Sequence, residues 1–198
     1  MARRDRPDHY SKQAKREGYQ ARSVYKLEEL QRRFRVLAPG MRVLDVGAAP
    51  GSWTQYARKV VGERGSLVAV DLSELPALEG FENVEVVTGD VTDEEVARRL
   101  EEAGPFDAVV SDAAPKTSGN RTLDTARSAA IVEHLLRLAP RLLAPGGAFV
   151  AKLFQGGEEQ TLLGELRARF ETARLVKPKA SRDESFETFL VGTGFRGA

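Results

Sequence analysis

Short apolar runs alternate with helical patterns along most of this chain. The apolar strand-like runs are RVLDV (42–46), SLVAVD (66–71), VEVVTGD (84–90), FDAVVSD (106–112), GAFVAKLF (147–154), ARLVKPK (173–179) and ETFLVGT (187–193). Between them lie SWTQYARKVV (52–61), DEEVARRLEEA (93–103), TARSAAIVEHLLRLAPRLL (125–143) and EEQTLLGELRARF (158–170), which carry apolar residues near the helical repeat. Ahead of the first strand, RSVYKLEELQRRF (22–34) places Val24, Leu27, Leu30, Gln31 and Phe34 on one helical face, and APG at 38–40 ends it. Continuous β-rich runs separated by helices predict an α/β fold with a mostly parallel sheet buried on both faces. No repeat or low-complexity block interrupts the pattern. The chain reads as a basic arm over 1–20 followed by one domain over 21–198.

One residue breaks the apolar pattern of its strand. In FVAKLFQGG (149–157), Lys152 sits among Phe149, Val150, Ala151, Leu153 and Phe154. A buried ammonium is costly unless something pairs with it or uses it, so Lys152 is either one half of an ion pair or a working group.

With 198 residues, 41% hydrophobic and 30% charged, the chain is sized for one globular domain burying roughly 70% of its unfolded surface. No apolar stretch approaches a membrane span, and the N-terminus has no signal-like apolar core, so a cytoplasmic protein is expected. There are no cysteines, and the two histidines, His9 and His134, lie far apart; no metal is expected. The net charge of +1 conceals an asymmetry: residues 1–35 carry eleven Lys/Arg against five acids, which leaves the rest of the chain at −5. A basic arm on an acidic body points to a polyanion such as nucleic acid; a solvated tail is the other reading.

Strand 42–46 runs into DVGAAPGSW (45–53), a strand–turn–helix in which Gly47 and Gly51 permit a tight turn and close approach of a ligand. Ala49 stands where a pyrophosphate-binding loop would carry its second glycine. Asp71 ends the second strand, where such folds hold ribose hydroxyls. Asp90 follows the third, placed for an adenine amino group, although either acid can equally be a turn former. The set suits an adenosine ligand without a diphosphate, as S-adenosylmethionine is. The polar loop AAPKTSGNRTL (113–123) follows a strand's carboxyl end, a place for substrate.

These motifs together resemble the FtsJ/RrmJ family of S-adenosylmethionine-dependent RNA 2′-O-methyltransferases. The likeness rests on ARSVYKLEELQ (21–31), DVGAAPGSW (45–53), VVSDAAPKTSG (109–119), AKLFQGG (151–157), KPKASR (177–182) and ETFLVGTGF (187–195). It implies a Rossmann-like methyltransferase fold: a seven-stranded sheet with helices on both faces and an antiparallel last strand. It implies a cofactor site at Gly47, Gly51, Trp53, Asp71, Asp90 and Asp112, and a catalytic group of Lys152, Asp112, Lys26 and Glu187. The implied reaction is methyl transfer to the ribose 2′-hydroxyl of a uridine in large-subunit ribosomal RNA, by a monomer acting on RNA within the large subunit. Ala113 and the spacing between Asp71 and Asp90 depart from the family pattern.

In that reading Lys152 is the general base, Lys26 stabilises developing negative charge, Asp112 orients both lysines and Glu187 matters least. Apolar neighbours and Lys26 favour a neutral Lys152, whereas Asp112 favours its charged form. The alternatives are a tRNA ribose methyltransferase, a non-catalytic ribosome-assembly factor, and a nicotinamide-dependent oxidoreductase, the last disfavoured by the missing G-x-G-x-x-G.

Overall fold

The computed structural model describes residues 9–76, 82–182 and 184–197; Arg3, Arg4 and Arg6 of the basic arm lie outside them. In chain order the elements are α1 (His9–Arg16), α2 (Val24–Phe34), β1 (Arg42–Val46), α3 (Ser52–Val61), β2 (Ser66–Asp71), β3 (Val84–Thr88), α4 (Glu94–Ala103), β4 (Phe106–Ser111), α5 (Arg121–Leu142), β5 (Leu143–Phe154), α6 (Glu159–Arg169), β6 (Phe170–Val176) and β7 (Glu187–Phe195). The strands form one sheet in the order β3-β2-β1-β4-β5-β7-β6. Strands β1 to β5 pair in parallel, as the apolar runs predict, and β7 runs antiparallel to both its neighbours, as the family resemblance implies.

Alternation along the strands divides the core. Leu44, Val46, Val109, Phe149, Ala151, Leu153 and Leu190 pack under α4, α5 and α6. Val43, Ala108, Val110, Val150, Phe189 and Val191 pack under α2 and α3. Lys152 falls in register opposite Phe189 and shares its face of the sheet, the one covered by α2.

Several boundaries differ from the sequence reading; β6, for one, spans Phe170–Val176, three residues earlier than the expected 173–179. Helix α5 starts at Arg121, a turn earlier than expected, because Asn120 caps it by accepting a hydrogen bond from the Leu123 amide at 3.2 Å. Strand β5 begins at Leu143 and absorbs Ala-Pro-Gly-Gly through a register shift against β4. The arm contains a helix the sequence reading missed: α1 docks on α2 through Ala14, Tyr10 and Tyr25, the two tyrosine rings 5.4 Å apart. Glu17 accepts the Tyr25 hydroxyl at 2.9 Å. No described helix is long and apolar enough to cross a membrane.

Candidate active site

Strand order reverses between β1 and β4, since β2 and β3 extend one way from β1 and β5 continues the other. Loops diverge at such a switch point and leave a crevice at the carboxyl ends of the strands. The β1–α3 loop and the residues after β4 border it. Gly47 has φ of 72° and Gly51 of 107°, conformations that cost an ordinary residue strain. A Cβ at Gly47 would lie 2.5 Å from the Ala113 Cα, so only glycine lets the loop close on the strand that delivers Asp112.

The loop is braced from several sides. Gly47 and Ala48 donate their amides to the Val70 carbonyl at 2.9 and 3.2 Å. Asp71 Oδ2 accepts the Ala49 amide at 3.0 Å, and its Oδ1 accepts the Ser73 amide at 2.8 Å. Asp71 therefore anchors the loop while each oxygen keeps a second lone pair for a ligand hydroxyl. Trp53 is buried, its ring 5.8 Å from that of Phe189 and its indole N–H donated to the Ser23 carbonyl at 2.9 Å. It fixes the start of α3 against α2. Asp90 is exposed, and its Oδ1 accepts both the amide and the hydroxyl of Thr92 at 2.8 and 2.7 Å. Those bonds hold the Asp90 carboxyl below the usual carboxylate range and leave its other oxygen for a donor.

The four residues of the expected catalytic group gather beside this crevice as two pairs. Lys152 Nζ lies 3.0 Å from Asp112 Oδ1 and 2.5 Å from the Asp112 main-chain oxygen. Lys26 Nζ lies 2.6 Å from Glu187 Oε1. Asp112 thus holds Lys152, while the partner found for Lys26 is Glu187; the sequence reading had Asp112 orienting both. All four side chains are between 10 and 16% exposed, enough burial to strengthen their charges without closing them off. Burial pushes the Glu187 carboxyl up, but Lys26 reverses this through its charge and hydrogen bond, and Lys152 adds to the reversal. The carboxyl ends below its usual range and stays ionised.

Neighbouring contacts hold α2 in place. Ser23 and Ser52 hydroxyls meet at 2.9 Å, Arg22 donates to the Ala180 carbonyl at 2.6 Å, and Glu29 accepts the Lys179 amide at 2.7 Å. The KPKASR segment thereby clamps α2, and with it Lys26, against the sheet. In the loop after β4, Ser118 donates its amide and hydroxyl to buried Asp124 in the first turn of α5.

Asp45 was missed by the sequence reading. It is wholly buried, accepts the Thr54 hydroxyl at 2.6 Å through Oδ2, and has no hydrogen-bond partner for Oδ1. Burial pushes its carboxyl up to about 7, against the Thr54 hydrogen bond and with added repulsion from Asp112 and Asp71. Its sequence signal was the one that singled out Lys152: a charged residue inside an apolar strand. No described cluster of three His, Asp or Glu is arranged to hold a metal.

The residues fit an adenosine-bearing methyl donor, with a close-packed glycine loop, two strand-end acids that retain acceptor capacity, and two lysines beside them. The model of FtsJ-like methyltransferases matches residues 19–195. The ribosomal RNA large subunit methyltransferase E of Treponema denticola is 49% identical over 191 residues, covering 96% of each chain. Its namesake from Syntrophobacter fumaroxidans is 53% identical, again over 96% of each. Among solved structures, a protein described as a ribosomal RNA methyltransferase from Plasmodium falciparum superposes with a TM-score of 0.80 at 25% identity, covering 91% of this chain and 100% of that one. Aeropyrum pernix fibrillarin, solved with S-adenosyl-L-methionine, shares the fold with a TM-score of 0.63 at 15% identity, over 86% of this chain and 76% of its own. The chain belongs to the FtsJ-like methyltransferase family.

Proposed function

We propose that this protein methylates the ribose 2′-hydroxyl of a uridine in large-subunit ribosomal RNA. The observation that carries the chemistry is the approach of Lys152 Nζ to Asp112, 3.0 Å from its carboxylate Oδ1 and 2.5 Å from its main-chain oxygen. The ribosomal substrate is supported by relatives named ribosomal RNA large subunit methyltransferase E at 49 and 53% identity.

S-adenosylmethionine, when bound, supplies an electrophilic methyl group on a sulfonium. The protein must align the attacking oxygen and help remove its proton. A neutral lysine has two N–H donors and one lone pair. One of these donors is held by the Asp112 main-chain oxygen and the Asp112 carboxylate stands 3.0 Å away as counter-ion, which leaves the lone pair of Lys152 for the 2′-hydroxyl. The Asp112 carboxylate then stabilises the ammonium that forms, so the acid that disfavours the neutral base also favours the proton transfer. Lys26 supplies positive charge to the developing alkoxide, and Glu187 fixes its direction. Gly47, Gly51, Trp53, Asp71 and Asp90 bind the cofactor, directly or by bracing the loop. The basic residues of 1–20 serve as a phosphate-binding arm.

The test is one incubation of the protein and labelled S-adenosylmethionine with total RNA, tRNA and large ribosomal subunits lacking the modification, followed by mapping of the modified ribose. Label on a single 2′-oxygen of a large-subunit uridine is the expected result. Label on tRNA would replace the substrate, and label on a base nitrogen or carbon would overturn the reaction.

A further inference from the structure

Phe154 and Phe186 form a pair at the carboxyl end of β5, ring centroids 4.8 Å apart and planes tilted by 59°. The Arg121 guanidinium, from the first residue of α5, lies over the Phe186 ring at 5.1 Å from its centroid. Trp53, Phe106, Phe149, Phe170 and Phe189 are each at most 2% exposed. Phe154 and Phe186 are both partly exposed, and Arg121 is exposed.

The backbone beneath the stack is fixed. Phe154 donates its amide to Ser128 Oγ at 3.0 Å, and Gln155 donates its amide to the Phe186 carbonyl at 2.8 Å. Phe154 stands directly opposite Glu187 in the β5–β7 register and two residues beyond Lys152, about 7 Å along the strand. A ribose held at Lys152 therefore keeps its own base, or its neighbour's, within reach of the rings.

We propose that Arg121, Phe186 and Phe154 form a stacking platform for an unpaired base of the RNA substrate, next to the ribose held at Lys152. This rests on the reading of the substrate as RNA. Single-stranded RNA is gripped by stacking splayed bases on aromatic rings and guanidinium planes. Here the two partly exposed rings supply apolar faces that water covers poorly. Arg121 supplies both a planar layer and a charge for the adjoining phosphate. Such a platform positions RNA without reading sequence.

The test uses Phe186→Ala, Phe186→Trp, Arg121→Ala and Arg121→Lys in the full chain. RNA affinity is measured by fluorescence anisotropy at fixed salt, steady-state transfer to large-subunit RNA gives KM and kcat, and calorimetry gives S-adenosylmethionine affinity. Phe186→Ala is expected to weaken RNA binding and raise KM about tenfold, the size of one lost base stack, with kcat at saturating RNA and cofactor affinity little changed. Phe186→Trp restores binding. Arg121→Ala, at an exposed site that tolerates truncation, weakens it, and Arg121→Lys does not restore it because the plane is gone. Wild-type RNA affinity in both alanine variants overturns the platform alone. Equal loss in Phe186→Ala and Phe186→Trp, or a parallel loss of cofactor affinity, makes the pair a packing feature and also overturns it. A wild-type protein that neither binds nor methylates RNA removes the underlying reading, and the platform with it.

Discussion

Glu187 Oε1 lies 2.6 Å from Lys26 Nζ, joining the first residue of β7 to the third residue of α2. A residue expected to matter least is thereby the counter-ion that lets Lys26 sit largely buried beside the glycine loop. Without it, Lys26 would be an unpaired ammonium at 12% exposure, free to swing to solvent or to compete for Asp112.

Glu187→Ala is therefore expected to lower stability by about 2–3 kcal/mol, somewhat less than for a fully buried broken pair, and to reduce methyl transfer as Lys26 loses its direction. The carboxyl is depressed in the folded state. Its contribution is thus fully present above the unfolded value of about 4.3 and is lost as pH falls through the lower folded value. Urea melts of wild type and Glu187→Gln should differ at pH 7 and converge well below pH 4. A difference that persists in acid would mean the pair is not its source.

Lys152→Ala should cut methyl transfer by about 10²- to 10⁴-fold, the usual loss for a general base, with cofactor binding close to wild type and, because Asp112 loses its counter-ion, stability lowered by about 2–3 kcal/mol. Lys152→Arg should be no better, because a guanidinium keeps its proton and cannot accept another. Single-turnover assays with saturating RNA make the comparison; turnover near wild type in either variant would remove Lys152 from the role of base.

Asp45 gives a pH effect of the opposite sign. Its carboxyl moves from an ordinary 3.8 to about 7 on folding, so between those values the folded chain holds a proton that the unfolded chain has released. Stability contributed by this site therefore falls as pH rises from about 4 to about 7, by about 4 kcal/mol at most. Asp45→Asn mimics the protonated form and should flatten that fall. Thermal melts of both proteins at pH 5 and pH 8 should show the variant gaining on wild type at the higher pH. An equal difference at both would mean Asp45 titrates as an ordinary carboxylate.

Lys12, Lys15 and Arg16 are exposed on α1, whose other side is packed on α2. Truncating 1–17 would also remove the Glu17–Tyr25 hydrogen bond, so charge substitution is the cleaner probe. Replacing the three with Gln should weaken RNA binding and reduce the dependence of log affinity on log salt by about two to three, near one per lost phosphate contact, with cofactor affinity unchanged. An unaltered salt slope would show that α1 stands clear of the RNA.

Much of the fold could be read directly. RVLDV, SLVAVD and SWTQYARKVV coincide with β1, β2 and α3, because the repeat of apolar residues and the glycines around them are local signals. Helix α1 escaped because its apolar side is only Tyr10 and Ala14 in an otherwise polar run, and its burial depends on Tyr25 of another helix. A helix that short is stabilised by docking more than by its own propensity.

The sequence by itself determined which residues are offered for the proposed chemistry: glycines where φ must be positive, acids at strand ends, and a lysine inside an apolar strand. Only the tertiary structure decided who pairs with whom. Lys152 meets Asp112 because β4 and β5 are neighbours, and Glu187 meets Lys26 because β7 lies beside β5 under α2. Composition and spacing do not encode strand order, and an ion pair is set by distances of a few ångströms between segments far apart in the chain. The same limit hid the Arg121, Phe186 and Phe154 stack, whose three members become neighbours only when α5, β5 and the lead into β7 converge at one end of the sheet.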